Sequence, residues 1–106
     1  MANMMKMMKK AAAMQKEMEK VQNELADKTV EFSAGGGMVT ATARGDGSIE
    51  NVRIDAGAVD PDDVEMLEDA VTAAVDGALK AAKDMAAEEM EKVTGGLGLP
   101  GMKMPF

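Results

Sequence analysis

The stretch from residue 29 to residue 54 constrains the fold most, because it alone has the periodicity of strands. Apolar and polar side chains alternate there in three short runs that glycine-containing turns separate. A half-buried strand needs a repeat of two residues, and glycine supplies the positive φ of tight hairpins. Ile49 lies out of phase with Val52 and Ile54, so we expect a β-bulge near residues 50 and 51. The stretch predicts a three-stranded antiparallel meander with one thin apolar face.

A long helix is expected before the meander, over residues 3–26. Apolar side chains recur there at alternating spacings of three and four residues, which is the a and d pattern of a coiled coil. This stripe consists of Met4, Met7, Ala11, Met14, Met18, Val21 and Leu25. Methionine is flexible and fills irregular gaps, so the stripe specifies its partner weakly.

A second helix is expected to begin at Pro61 with Asp60 as its N-cap, because proline suits the first helical position. Gly77 lies inside this helix and is expected to cost about 1 kcal/mol relative to alanine in an exposed helix interior. The apolar stripe of the helix consists of Val64, Leu67, Val71, Val75, Ala78, Ala82, Ala86, Met90 and Val93.

The order of elements predicts an α+β fold: long helix, three-stranded antiparallel meander, long helix. Residues 1–94 are expected to form one domain, and residues 95–106, rich in glycine and proline, are expected to form a flexible C-terminal tail. Helices of about 36 and 50 Å overhang strands of about 17–20 Å, so apolar side chains lack cover and we expect a homodimer. The residues expected to pack in the protomer or the dimer are Met14, Met18, Val21, Leu25, Val52 and Ile54.

The composition offers few side chains that suit catalysis or cofactor binding. The chain has no histidine or cysteine, and its two serines, Ser33 and Ser48, adjoin glycine turns, where a turn role is the simpler explanation. Residues 35–37 lack the Lys-Ser/Thr of a P-loop, and the acids near Asp60 lack the spacing of an EF-hand. The methionines could bind Cu(I), but helix packing explains them better. We therefore expect no enzyme activity, no metal and no cofactor.

Location follows from the same composition. Without cysteine there is no disulfide framework, so an intracellular, cytoplasmic protein is the simpler prediction. Three lysines interrupt any apolar core of an N-terminal signal peptide. No run approaches the roughly 18 apolar residues of a membrane span, so no membrane partner is expected.

Charge is distributed unevenly along the chain. The net charge is −7, yet residues 1–16 carry four lysines and no acid, whereas residues 46–76 carry ten acids and one base, Arg53. If the second helix returns antiparallel beside the first, its lysines approach the same basic end. A basic tip on an acidic body favours binding of a polyanion by the tip, although a solvated lysine face remains the alternative. The candidate DNA-binding residues are Lys6, Lys9, Lys10, Lys16, Lys80 and Lys83.

Four segments, in this order and spacing, resemble the YbaB/EbfC family of small bacterial nucleoid-associated proteins. They are MMKKAAAMQKEMEKVQNEL, AGGGMVTATARG, VRIDAGAVDPDDVEMLEDAVTAAVDGALKAA and LPGMKMPF. The resemblance implies a tweezer-like homodimer with projecting helices that binds double-stranded DNA with little sequence demand. It implies a nucleoid location and, more weakly, a role alongside recombination or replication proteins. It carries no catalytic motif.

Two functions of different classes stay open. One is a DNA-binding architectural protein. The other is a prefoldin-like holdase, or protein-interaction module, that grips non-native chains with methionine-rich helical tips. What the tips present decides between them: lysines suit a polyanion and methionines suit an apolar client.

Overall fold

The computed structural model describes residues 2–95 of the chain. Its elements are α1 (Ala2–Asp27), β1 (Thr29–Ala34), β2 (Val39–Arg44), β3 (Ile49–Ile54), a 3-10 turn (Ala56–Ala58) and α2 (Val64–Gly95). The strands form one antiparallel sheet in the order β1-β2-β3. The predicted α+β order of helix, meander and helix is thus confirmed. The predicted tail lies outside the described residues, except for Gly95 at the end of α2.

The β-bulge predicted from the phase slip is present in β3. Ala41 of β2 pairs with Val52, and Ala43 pairs with Ile49. A step of two residues on β2 therefore spans three residues on β3. The extra residue returns Ile49 to the face that carries Val52 and Ile54, because side chains alternate along a strand.

A line of alanines on α2 packs against the inner face of β2. Residues four apart lie on one line of a helix, and small side chains let helix and sheet approach closely. The buried residues of this contact are Ala70, Ala74, Ala78 and Ala82 of α2 and Val39, Ala41 and Ala43 of β2. Val71 and Val75, which the sequence placed within the apolar stripe, are half-buried beside this line, and Val64 is exposed. Ala78 and Ala82 belong to both the predicted stripe and the observed contact, so the predicted stripe is rotated from the observed one only in the N-terminal half of the helix.

Gly77 has a structural role that the sequence did not reveal. A Cβ atom at this position would overlap the ring of Phe32 on β1. The prediction that Gly77 is only a weak point of the helix is therefore wrong. The absence of a side chain at Gly77 makes room for the ring of Phe32 where α2 crosses β1.

The start of α2 also differs from the prediction. The N–H of Met66 donates to Asp63 Oδ1 at 3.2 Å, so Asp63 caps a helix that begins at Val64. Asp60 and Pro61 belong instead to a turn, in which the N–H of Asp63 donates to the carbonyl oxygen of Asp60 at 3.0 Å. Proline fits the second position of such a turn as well as the first position of a helix.

The C-terminal end of α1 packs on α2, and the rest of α1 projects. Lys28 Nζ donates to Glu89 Oε1 at 3.0 Å, which sets the end of α1 level with Glu89. At about 1.5 Å per residue, α1 and the part of α2 from Val64 to Glu89 each span about 37 Å. The molecule is 73 Å long, so the two lengths lie end to end. Hence α1 extends away from the sheet, on the side toward which the C-terminal end of α2 points.

Candidate nucleic-acid interface

The projecting part of α1 carries four of the predicted DNA-binding lysines. We call residues 2–16 the α1 tip. Its lysines are exposed, and none forms an ion pair with any residue in the described range 2–95. These lysines are Lys6, Lys9, Lys10 and Lys16. At about 100° per residue, Lys6, Lys9 and Lys10 fall within about 100° of the helix circumference. The first acid of the chain, Glu17, follows only after the tip. The tip therefore presents a positive arc.

Methionines occupy the rest of the circumference of the α1 tip, with Met4 and Met8 opposite the lysine arc and Met5 and Met7 at its two edges. Met4, Met5, Met7 and Met8 are between 65% and 69% exposed. Further along the same helix Met14 and Met18 are half-buried, and Val21 and Leu25 are buried. The predicted apolar stripe of α1 is thus covered only near its C-terminal end within the protomer.

Lys80 and Lys83 lie elsewhere in the protomer. Both are exposed on α2, on the sheet side of the level that Glu89 and Lys28 share. Counted along the two helices at about 1.5 Å per residue, they are roughly 27 Å or more from Lys16 and roughly 36–47 Å from the other three lysines of the α1 tip. The lysines of the protomer therefore lie in two separate areas, whereas the sequence predicted a single basic end.

An ion-pair cluster at the base of α1 was not foreseen from the sequence. Glu89 Oε1 contacts Lys28 Nζ at 3.0 Å and Lys92 Nζ at 3.6 Å. The hydrogen bond from Lys28 holds the pKa of the Glu89 carboxyl below its usual value. Lys28 and Glu89 are 61 positions apart, so no local periodicity links them. The cluster ties the junction of α1 and β1 to α2.

The opposite end of the molecule is acidic. The loop between β3 and α2 and the first turn of α2 expose a series of carboxylates, which repel phosphate. They are Asp55, Asp60, Asp62, Asp63 and Glu65. No group of three or more His, Cys, Asp or Glu side chains within residues 2–95 is arranged to hold a metal ion. Nor is any helix of that range long and apolar enough to cross a membrane.

An apolar surface is left uncovered beside the acidic end. α2 packs on β1 and β2 and scarcely contacts β3. Val52 and Ile54 on the inner face of β3 are consequently 39% and 41% exposed. The sequence predicted these two residues to pack in the protomer or in a dimer, and the protomer leaves them exposed. We call the exposed apolar residues from β3 to the first turn of α2 the β3 surface: Val52, Ile54, Val59, Val64 and Met66.

Comparison with known proteins agrees with the resemblance seen in the sequence. The model of the YbaB/EbfC DNA-binding family matches residues 1–97. A nucleoid-associated protein of Ruminiclostridium cellulolyticum is 52% identical over 94% of this chain and 88% of its own. A nucleoid-associated protein of Syntrophobacter fumaroxidans is 48% identical over 92% of this chain and 89% of its own.

The fold is also found in a solved structure. The crystal structure of an uncharacterised protein from Helicobacter pylori superposes with a TM-score of 0.67, covering 83% of this chain and 89% of that chain. The two sequences are 23% identical, so this likeness concerns the fold.

Proposed function

The chain belongs to the YbaB/EbfC DNA-binding family, and from this premise we propose that it acts as a homodimer that holds duplex DNA with its two α1 tips. The family is one of nucleoid-associated DNA-binding proteins and not of enzymes. We place the protein at the nucleoid, in the cytoplasm. A role in gene expression or beside recombination or replication proteins is a further part of the proposal, and it rests on the resemblance alone.

The observation that carries this proposal is the separation of charge along the molecule. Lys6, Lys9 and Lys10, which have no acid within four residues, lie at the projecting end, and carboxylates crowd the sheet end. A phosphate backbone is attracted to the first region and repelled by the second. DNA therefore meets the α1 tips, and the acidic body keeps it from wrapping around the sheet.

Little sequence demand is expected from such a contact. A lysine ammonium binds phosphate as a point charge, whereas base readout commonly uses arginine, asparagine or glutamine at a groove. Both arginines of the chain, Arg44 and Arg53, lie on the sheet, and the α1 tip has only Asn3 and Gln15, twelve residues apart, instead of a cluster. The α1 tip carries no aromatic side chain on which a base could stack.

We assign the dimer contact to the β3 surface. Its strand residues, Val52 and Ile54, are exposed because α2 covers the other two strands, and a second copy offers the same surface by symmetry. Pairing there leaves the α1 tip of each protomer free. It would give the tweezer-like form that the resemblance implies.

A salt titration of DNA affinity tests the tip contact. Replacing Lys6, Lys9 and Lys10 by glutamine removes six charges from a dimer. If all six meet phosphate, the slope of log K against log salt flattens by about 5, at about 0.9 per phosphate. The matched control is Arg53→Gln, which removes a base from the sheet and is expected to leave affinity and slope unchanged.

Lys80 and Lys83 are tested as a separate pair. Their replacement by glutamine is expected to flatten the slope in the same direction but less, since they lie far from the α1 tips. The result that overturns the tip contact is a triple variant at Lys6, Lys9 and Lys10 with wild-type affinity and wild-type slope.

One observation favours the holdase as a second candidate function. Four methionines at the α1 tip are about two-thirds exposed, and flexible apolar side chains suit promiscuous contacts. Suppression of aggregation of an unfolded client separates the candidates. A triple lysine variant that binds DNA as before and still suppresses aggregation would support the holdase.

A further inference from the structure

Four of the five methionines in the α1 tip are not explained by packing in the protomer, whereas the fifth, Met14, is half-buried. Met4, Met5, Met7 and Met8 are all at least 65% exposed, whereas Met38 and Met85 are half-buried. Leucine has a similar helix propensity and volume, so helix formation alone does not require methionine at these positions. What distinguishes methionine is its thioether sulfur.

Exposed thioethers react with peroxide. The sulfur lone pair attacks one peroxide oxygen, the O–O bond breaks, an S–O bond forms, and the departing hydroxide takes the remaining proton as water. Sulfur is oxidised by two electrons and the peroxide is reduced. The product is methionine sulfoxide, and methionine sulfoxide reductases reverse the change. The chain has no cysteine, so no thiol competes for the oxidant.

The helix brings two of these methionines beside DNA-binding lysines. Met5 lies four residues before Lys9, and Met7 lies three residues before Lys10. Side chains at these spacings are neighbours on a helix surface. A thioether is a weak hydrogen-bond acceptor, whereas the oxygen of a sulfoxide accepts readily from an ammonium group.

We propose that the methionine face of the α1 tip is a site of reversible oxidation that weakens DNA binding. The four thioethers take up oxygen from peroxide, and the new sulfoxide oxygens at Met5 and Met7 compete with phosphate for the N–H groups of Lys9 and Lys10. This inference rests on the proposed function, because it assigns regulation to the same α1 tip. The net charge of the tip does not change.

The experiment treats the full-length protein with hydrogen peroxide, maps oxidised methionines by mass spectrometry and measures DNA affinity before and after. The four tip methionines are expected to oxidise about threefold or more faster than Met38 and Met85, because oxidation follows exposure. DNA affinity is expected to fall about fivefold, the size of about one lost hydrogen bond, and to recover with methionine sulfoxide reductase.

The matched variant is M4L/M5L/M7L/M8L, which keeps the other methionines and the lysines. Its affinity is expected to withstand the same peroxide treatment. The proposal is overturned if peroxide weakens variant and wild type equally, if wild-type affinity does not change, or if the tip oxidises no faster than Met38 and Met85. Failure of the DNA contact itself is seen separately, in the salt slope of the untreated lysine variants.

Discussion

Two helical stripes of apolar residues in this chain differ in burial: the alanine line of α2 is covered, and the methionine face of the α1 tip is exposed. Ala74, Ala78 and Ala82 are fully buried against β2. Met4 and Met8 are each 67% exposed. Both stripes have helical spacing, so periodicity alone does not determine whether a stripe is covered.

The size and stiffness of the side chains account for the difference. Alanine loses no rotamer freedom on burial and lets backbones approach closely, so a line of alanines suits a fixed contact of helix and sheet. Methionine is long and flexible and adapts to whatever it meets, including solvent and oxidants. The alanine line thus suits a single fixed packing of α2 on the sheet, whereas the exposed methionines of the α1 tip can adapt to different partners.

Overfilling the alanine line should have the largest effect. We expect Ala78→Leu to lower the free energy of unfolding by about 3 kcal/mol, since a fully buried position has no space for three more carbons. Ala73 lies on the exposed side of the same helix. Ala73→Leu should therefore change the stability by no more than about 0.5 kcal/mol. Urea denaturation of the two variants measures the contrast, and equal losses would contradict the assigned face.

Charging the β3 surface should separate assembly from folding. Val52 is 39% exposed in the protomer, so Val52→Asp should leave the protomer folded. In the proposed dimer the carboxylate is buried without a partner, at about 3 kcal/mol, which raises the dissociation constant about 100-fold or more. Sedimentation and circular dichroism together measure both effects.

The control for that variant is Asn51→Asp, which adds the same charge at the neighbouring exposed position of β3, on its polar face. It should leave the dimer intact. A wild-type protein that sediments as a folded monomer at micromolar concentration would remove the dimer itself.

Gly77 tests how closely α2 approaches the sheet. Gly77→Ala raises helix propensity by about 1 kcal/mol, but the new Cβ overlaps the ring of Phe32. Displacing the ring costs about 1–3 kcal/mol, so we expect a net loss of about 1 kcal/mol in thermal or urea unfolding. In a Phe32→Ala background the same substitution should stabilise, by up to about 1 kcal/mol. The proposed contact is wrong if the sign does not reverse.

Gly77 also shows where prediction from the sequence ends. The strands and the bulge were predictable because their signals are local: alternation, glycine turns and the phase of Ile49. The role of Gly77 depends on Phe32, which is distant in sequence. No local pattern marks such a contact.

Ala70 and Ala74 of the alanine line, and the start of α2, were missed for a different reason. Alanine also occurs on the exposed side of α2, as at Ala73, so it gives little contrast between faces. Three closely spaced aspartates can each cap a helix, and the hydrogen bond that Asp63 makes shows which one does. In both places the sequence allowed several arrangements of similar energy, and tertiary packing selected one.

The candidate site was predicted in part. The lysine-rich start of α1 could be read from composition, but its distance from Lys80 and Lys83 could not. That distance follows from the direction in which α1 leaves the sheet. The contacts that fix it include the ion pair of Lys28 with Glu89 and the burial of Val21 and Leu25.

The smallest effect on folding is expected for substitutions in the methionine face of the α1 tip. The variant M4L/M5L/M7L/M8L should unfold within about 0.5 kcal/mol of the wild type, because these side chains are already exposed and leucine matches methionine in helix propensity. Urea denaturation at two protein concentrations measures this. A clear loss of stability that grows at the higher concentration would mean that a second copy covers the α1 tip. The dimer contact would then have to move from the β3 surface to the tips, and the lysines would lie beside that contact instead of at a free end.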